Sequence, residues 1–527
     1  MYDILLKNGS LIDGSGTPAF RADLALEDGK IAAIAPDIAP GLAKECVDIS
    51  GLVAAPGFID IHSHSDLTFL DDDRGEAKLF QGVTSELTGN CGDSPFPYTA
   101  EKEEILKVHV GNTGRGNFAA PSLERFAEGI AARGDRMGTN LLPLVGHGTL
   151  RAGVLGYEDR PAEAEELKKM AKLLRADMEC GAWGLSLGLG YTPGLSADLG
   201  ELAAMGAEVA PFEGIVTSHM RYQNAKTPQA LEEMFEINRR SGAHVHVAHF
   251  KAAGTACRGK AEEWIGILED AKASGIHVTA DVYPYTAADS GITNSFPKWA
   301  IMGGLERALQ AVCGAERHRL LADLRERFPG PEAGKSLLIV HTAGVYPELE
   351  GKTLEEIAAI WEMPRAETLA KLAFDTEARA DCITFCMTEE DVERMLRQND
   401  FSIGSDGCCL PFDPALNQGK PHPRNYGTFP RFLRLCREKK LCPPETAIRR
   451  ITGQSADYIG LRDRGYLRVG LAADVTVLDW ERVTDRAGYA DPFRKPEGIP
   501  HVIMDGRFAI RGGVQTEERL GKLLLKK

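Results

Sequence analysis

The sequence predicts an α/β fold: a (β/α)8 TIM-type barrel of parallel strands, with a small β-sandwich formed from the two ends of the chain. Three observations predict it. Eight short apolar runs recur through the middle of the chain, each ending in a polar or metal-ligating residue. Stretches with helical periodicity lie between them, which is the signature of parallel βα units. The two ends differ: residues 1–55 and 465–527 alternate short apolar runs with hairpin-type turn dipeptides.

In chain order, Asn8-Gly9, Asp13-Gly14 and Asp28-Gly29 punctuate the first piece, and Asp505-Gly506 the last. Each piece is too small to close a core alone, so the two are expected to combine into one sandwich. The barrel is expected over 56–464. Its strand candidates are 57–64 (GFIDIHSH), 82–91 (GVTSELTGNC), 140–148 (NLLPLVGHG), 183–191 (WGLSLGLGY), 214–221 (GIVTSHMR), 244–251 (HVHVAHFK), 277–285 (HVTADVYPY) and 401–407 (FSIGSDG). Between the third and fourth, Leu167, Met170, Leu174 and Met178 share one helical face and Gly181 stops the helix. That stripe is packing. The span between the seventh and eighth candidates is too long for one connection and holds strand-like runs at SLLIVHTAG and DCITFCM. Residues 290–400 are therefore expected to form an insertion or lid between strands 7 and 8, with His318 and His341 structural.

A chain of 527 residues with 43% hydrophobic and 26% charged residues has the composition of a globular protein with a large core. Its net charge of -15 argues against nucleic-acid and anionic-membrane partners and for a small-molecule substrate. No basic and apolar leader opens the sequence and no run is long enough to span a bilayer, so a cytoplasmic location is expected. The eleven cysteines form no repeating framework, which suits a reducing compartment, and no paired CxxC spacing marks a structural zinc site. Oligomeric state leaves no trace in the sequence.

The chemistry gathers at the strand tips. His62 and His64 are two apart, so an extended chain turns both imidazoles to one side. Taken alone, such a pair is more readily two solvated histidines in a turn. The other tips add Cys91, His219, His249 and Asp406. In a barrel the C-terminal strand ends converge on one face. Thiolate, imidazole and carboxylate are the donors zinc takes, and a catalytic site keeps one position open for water. Six such residues on the tips of one barrel point to a metal site.

The segments GFIDIHSHSD, QGVTSELTGNCG, LVGHGTLR, GLSLGLGYTPG, TSHMR, VAHFK, ADVYPYTA, GSDG and HPRNYGTFPR cover nearly the whole chain. Together they resemble the amidohydrolase superfamily, and within it the D-aminoacylase or N-acyl-D-amino-acid deacylase family. The resemblance implies a metal-dependent hydrolase of linear N-acyl-D-amino acids. It assigns a tightly bound zinc ion to Cys91, His219 and His249, and a second, weaker or optional metal position to His62, His64 and Asp406. Cys91 stands where many superfamily members have a carboxylated lysine. Asp406 is implied as the catalytic proton shuttle, and Arg424, Lys251, Tyr283 and Tyr191 as binders of the substrate carboxylate. Asp289 departs from the small residues that relatives tend to carry there, and predicts a neutral or basic substrate side chain. Two alternatives stand beside this reading: a cyclic-amide hydrolase of dihydroorotase or hydantoinase type, and a catalytically inactive metal-binding relative. Cys91 with the HFK and HPR segments speaks against the first, and an intact Asp406 against the second.

Overall fold

The computed structural model describes residues 1–105 and 119–527. Its fold is α/β with parallel, antiparallel and mixed sheets. Eight parallel strands organise the middle of the chain: Phe58–Asp60, Val83–Thr88, Asn140–Pro143 with its continuation Val145–Gly146, Gly184–Gly188, Ile215–His219, His244–Val247, Val278–Val282 and Phe401–Ile403. Each pairs in parallel with the next in that order. The first and eighth meet beyond their C-terminal ends, where Asp406 N donates to His62 O at 2.8 Å and His64 N to Gly407 O at 2.9 Å. Strands buried on both faces read as near-continuous apolar runs, which is why the sequence marks them so clearly.

Each of these strands is shorter than the run that predicts it, because the polar tips leave the ladder. Around them pack helices with one apolar face. Ala164–Cys180 buries Met170, Leu174 and Met178, half-buries Leu167, and ends at Gly181 with φ 110°. Only glycine takes that backbone without strain.

The chain ends meet in the β-sheets. A seven-stranded sheet carries Ser10–Leu11, Phe20–Arg21 and Val53–Pro56 from the N-terminal piece. It also carries Val475–Leu478, His501–Met504, Arg507–Arg511 and Val514–Gln515 from the C-terminal piece. A four-stranded sheet of N-terminal strands faces it, and Leu6, Leu24 and Leu26 pack against Val475, Val477 and Ile503. Two of the four turn dipeptides are two-residue hairpin turns: Asp28-Gly29 and Asp505-Gly506 have positive φ at both residues. The other two correct the sequence reading. At Asn8-Gly9 the chain crosses from one sheet to the other, and Asp13-Gly14 opens a longer loop to Phe20–Arg21. A dipeptide reports the local bend but not which strands it joins.

Between the seventh and eighth parallel strands lies a separate antiparallel sheet, with Ala287–Gly291 and Leu337–His341 flanking Asp381–Phe385. It has its own apolar cluster, which includes Ile292, Phe296, Leu320, Leu337, Ile339, Leu369 and Leu372. Here His341 Nδ1 lies 3.5 Å from Asp381, and the exposed His318 ring meets the Ala315 carbonyl at 3.0 Å. Neither joins a metal-ligating group among the described residues. All eleven cysteines are free thiols. Among the described residues no helix is long and apolar enough to cross a membrane.

Candidate active site

The chain gathers its donors where the parallel strands end. His62 and His64 follow the first strand, Cys91 the second, and His219 closes the fifth. His249 follows the sixth strand and Asp406 the eighth. Cys91 Sγ occupies the centre, 3.4 Å from His62 Nε2, 3.4 Å from His249 Nε2 and 3.8 Å from His219 Nδ1. Asp406 Oδ1 sits 3.1 Å from His64 Nε2 and 3.4 Å from His62 Nε2. Two donor groups result, His62, His64, Cys91 and Asp406 on one side and Cys91, His219 and His249 on the other, the donor atoms of each lying within 4.8 Å of one another. Cys91 belongs to both.

This donor set fits a metal ion. Thiolate, imidazole and carboxylate are zinc ligands, and their spacing suits a shared cation better than direct hydrogen bonds. Backbone strain points to the same residues. Cys91, His249 and Asp406 have φ of 54°, 38° and 53°, in the left-handed region that non-glycine residues rarely adopt. Each such residue costs about 1–3 kcal/mol and persists only where the surroundings impose it. Gly188 makes room for it, since a Cβ there would come 2.1 Å from Cys91 O.

The electrostatics follow from burial and neighbours. Burial raises the Cys91 pKa, but His62, His249 and His219 outweigh it and hold the thiol well below its usual range. Burial also opposes charge on His64, yet Asp406 and Cys91 lift it to about 10. Burial, with Lys251 adding to it, pushes His249 down to about 4, so its imidazole is neutral as a metal ligand requires. Asp406 is held below the usual carboxylate range: burial works against ionisation, and the Arg424 charge, with hydrogen bonds from His62 and His64, more than offsets it.

The residues expected to bind substrate stand at the same place. Arg424 Nη1 donates to Asp406 Oδ2 at 2.7 Å. Two cations approach the Tyr283 ring, Lys251 Nζ at 5.0 Å and the Arg424 guanidinium carbon at 5.6 Å from its centroid. Tyr191 packs on His219 with ring centroids 4.4 Å apart. Tyr283 OH and Arg424 Nε are buried and have no hydrogen-bond partner among the described residues. An unpaired buried donor costs about 1–3 kcal/mol, which an incoming acceptor can recover. Sequence reasoning kept Asp406 and Arg424 in separate roles, whereas here they touch. It missed Asp281, His246 and Gln223. Asp281 Oδ2 lies 3.3 Å from His62 Nδ1, and the Gln223 amide 3.0 Å from His249 Nδ1. The alternation of strand side chains could have revealed Asp281, two residues before Tyr283. Gln223 lies on a loop, where no periodicity signals it.

The amidohydrolase family model matches residues 45–296 and 350–510. The chain is 34% identical to a D-aminoacylase of Alcaligenes xylosoxydans xylosoxydans, over 100% of this chain and 98% of the relative. It is 32% identical to an N-acyl-D-glutamate deacylase of the same organism, over 99% of this chain and 96% of the relative. A crystal structure of N-acyl-D-glutamate deacylase from Bordetella bronchiseptica superposes with a TM-score of 0.84 at 30% identity, covering 99% of both chains. That structure is a complex with zinc and a phosphonate inhibitor, a mimic of the reaction's tetrahedral intermediate. Matched along nearly its whole length in both sequence and structure, the chain belongs to the amidohydrolase family, in the branch of the D-aminoacylases and N-acyl-D-amino-acid deacylases.

Proposed function

We propose that the protein hydrolyses the amide bond of N-acyl-D-amino acids, giving a carboxylic acid and a free D-amino acid. The observation that carries this is Cys91 Sγ shared by two metal-donor groups, one of which contains an ionised Asp406 paired with Arg424. In this reading the eight parallel strands close as a (β/α)8 barrel over 56–464, with an insertion near 290–400 and a β-sandwich from 1–55 and 465–527. Cys91, His219 and His249 would hold a tightly bound zinc ion, and His62, His64 and Asp406 a second, weaker or optional one. Zinc bound there would polarise the acyl carbonyl and acidify water.

The chain's own residues supply the rest. Asp406 would take a proton from the attacking water and return it to the leaving nitrogen. Arg424 leaves one carboxylate oxygen of Asp406 to His64 and His62, which orients the acceptor. Arg424 Nε and Tyr283 OH, both without a partner among the described residues, suit the substrate α-carboxylate, and Lys251 adds positive charge beside them. Removing zinc with a chelator should abolish turnover, and adding it back should restore it. Undiminished release of D-amino acid after exhaustive chelation would overturn the proposal.

Asp289 bears on the side chain accepted. It lies on the first strand of the inserted sheet, close enough to raise the Arg424 pKa. Burial lifts its own carboxyl to about 6 against the pull of Arg424. At neutral pH it is therefore mostly ionised and repels an acidic side chain. The repulsion should fade as the pH falls through about 6, because a carboxyl with a raised pKa is neutral below that value. The ratio of kcat/KM for N-acetyl-D-glutamate to that for N-acetyl-D-leucine should therefore be higher at pH 5.5 than at pH 8. A panel in which N-acetyl-D-glutamate is the best substrate at neutral pH would sink the assignment of a neutral or basic side chain.

A further inference from the structure

We propose that Asp281, His246 and Thr279 form a positioning relay inside the ring of strands, which fixes the nitrogen that His62 turns toward Cys91 and Asp406. The inference deepens the proposed function, because it rests on His62 as a metal ligand. The sixth and seventh strands pair His246 with Thr279, so His244, His246, Thr279 and Asp281 share one face by strand alternation. His246 and Asp281 are fully buried and Thr279 is buried beside them.

One carboxylate holds three groups. Asp281 Oδ2 lies 2.9 Å from His246 Nε2 and 3.3 Å from His62 Nδ1, and Asp281 Oδ1 accepts from the backbone N–H of His249 at 2.8 Å. An ionised carboxylate only accepts, so both imidazoles must present an N–H to it. His62 therefore presents its Nδ1–H to Asp281, which turns Nε2 toward Cys91 Sγ and Asp406 Oδ1, each 3.4 Å away. This is the nitrogen a metal would take. The same carboxylate steadies the His249 backbone, which is held at a φ of 38°. Gly404 makes the approach possible: a Cβ there would lie 2.4 Å from His62 Cβ and 2.9 Å from Asp281 Oδ1.

The relay continues away from the site. With its proton on Nε2, His246 offers Nδ1 as an acceptor to Thr279 Oγ1 at 2.7 Å. The same hydroxyl lies 2.7 Å from His244 Nε2, from which it can accept. Burial, and after it His277, keep His244 well below the ordinary histidine pKa, so it is neutral and has a single ring proton to give. His277 stacks on His244 with centroids 4.0 Å apart and anchors the far end. Each bond in the series sets the direction of the next, from His244 to His62. Outer-shell partners of this kind commonly change metal affinity or activity by about 10–100-fold.

The test combines ring N–H exchange with kinetics. NMR of the metal-free protein labelled with 15N in its histidine rings should show two ring protons protected from exchange, on His62 Nδ1 and His246 Nε2. Asp281→Asn should expose the His62 proton and lower kcat by about 10–100-fold with little change in KM. His246→Leu should lose about tenfold, whereas His246→Gln, whose amide can still donate to Asp281, should stay within about threefold of wild type. A His62 Nδ1 proton that exchanges freely in the wild-type protein would overturn the inference, even if no variant folds. So would wild-type kcat in both Asp281→Asn and His246→Leu. Failure of the proposed function would look different: the wild-type protein would neither take up zinc nor hydrolyse substrate, while the protected protons remained.

Discussion

Asp406→Asn is expected to lower kcat by about 10³-fold, within the range by which a positioned general acid or base accelerates proton transfer. The tightly bound zinc should be retained, because the donor group of Cys91, His219 and His249 does not include this residue. Asparagine is the informative replacement. Its amide oxygen can still accept from Arg424 Nη1, so the buried guanidinium keeps a partner. Alanine would leave that charge uncompensated, which costs about 3–5 kcal/mol when a buried pair is broken, and would confuse instability with lost chemistry. Metal analysis beside initial rates at saturating substrate checks the prediction. Turnover close to wild type at full zinc occupancy would remove Asp406 from the proton-transfer role.

The second large effect is expected at Cys91, the residue both donor groups share. Cys91→Ala should lose the tightly bound zinc and lower turnover by more than the roughly 10–100-fold that outer-shell partners cost. His62→Asn serves as the contrast. It touches only one group, so it should keep most of the tight zinc while losing activity. Metal content after gel filtration, read against turnover, separates the two. Complete loss of zinc in His62→Asn would reverse the order of the two metal positions, and full retention in Cys91→Ala would remove Cys91 from the tight one.

Much of this structure could be read from the chain, for reasons specific to its elements. Parallel strands covered on both faces demand apolar runs, so all eight regions stood out. The i, i+2 spacing of His62 and His64 is a direct statement about facing. What stayed hidden depends on partners distant in sequence. Lys78 is fully buried between Asp60 at 2.6 Å and Glu86 at 3.2 Å, but nothing local distinguishes it from a solvated lysine. The Asp406 to Arg424 contact likewise depends on how the loop after the eighth strand returns to the helix Arg424–Lys439. The turn at Asn8-Gly9 shows the same limit, since local chemistry fixes its bend and tertiary packing chooses the sheets.

Hydrolysis of matched N-acetyl-D- and N-acetyl-L-amino acids by the zinc-loaded protein, with the freed amino acid resolved on a chiral column, tests the proposed activity most directly. Free D-amino acid should accumulate from the D substrates while the L substrates stay intact. Equal turnover of both enantiomers, or release from neither, would contradict it.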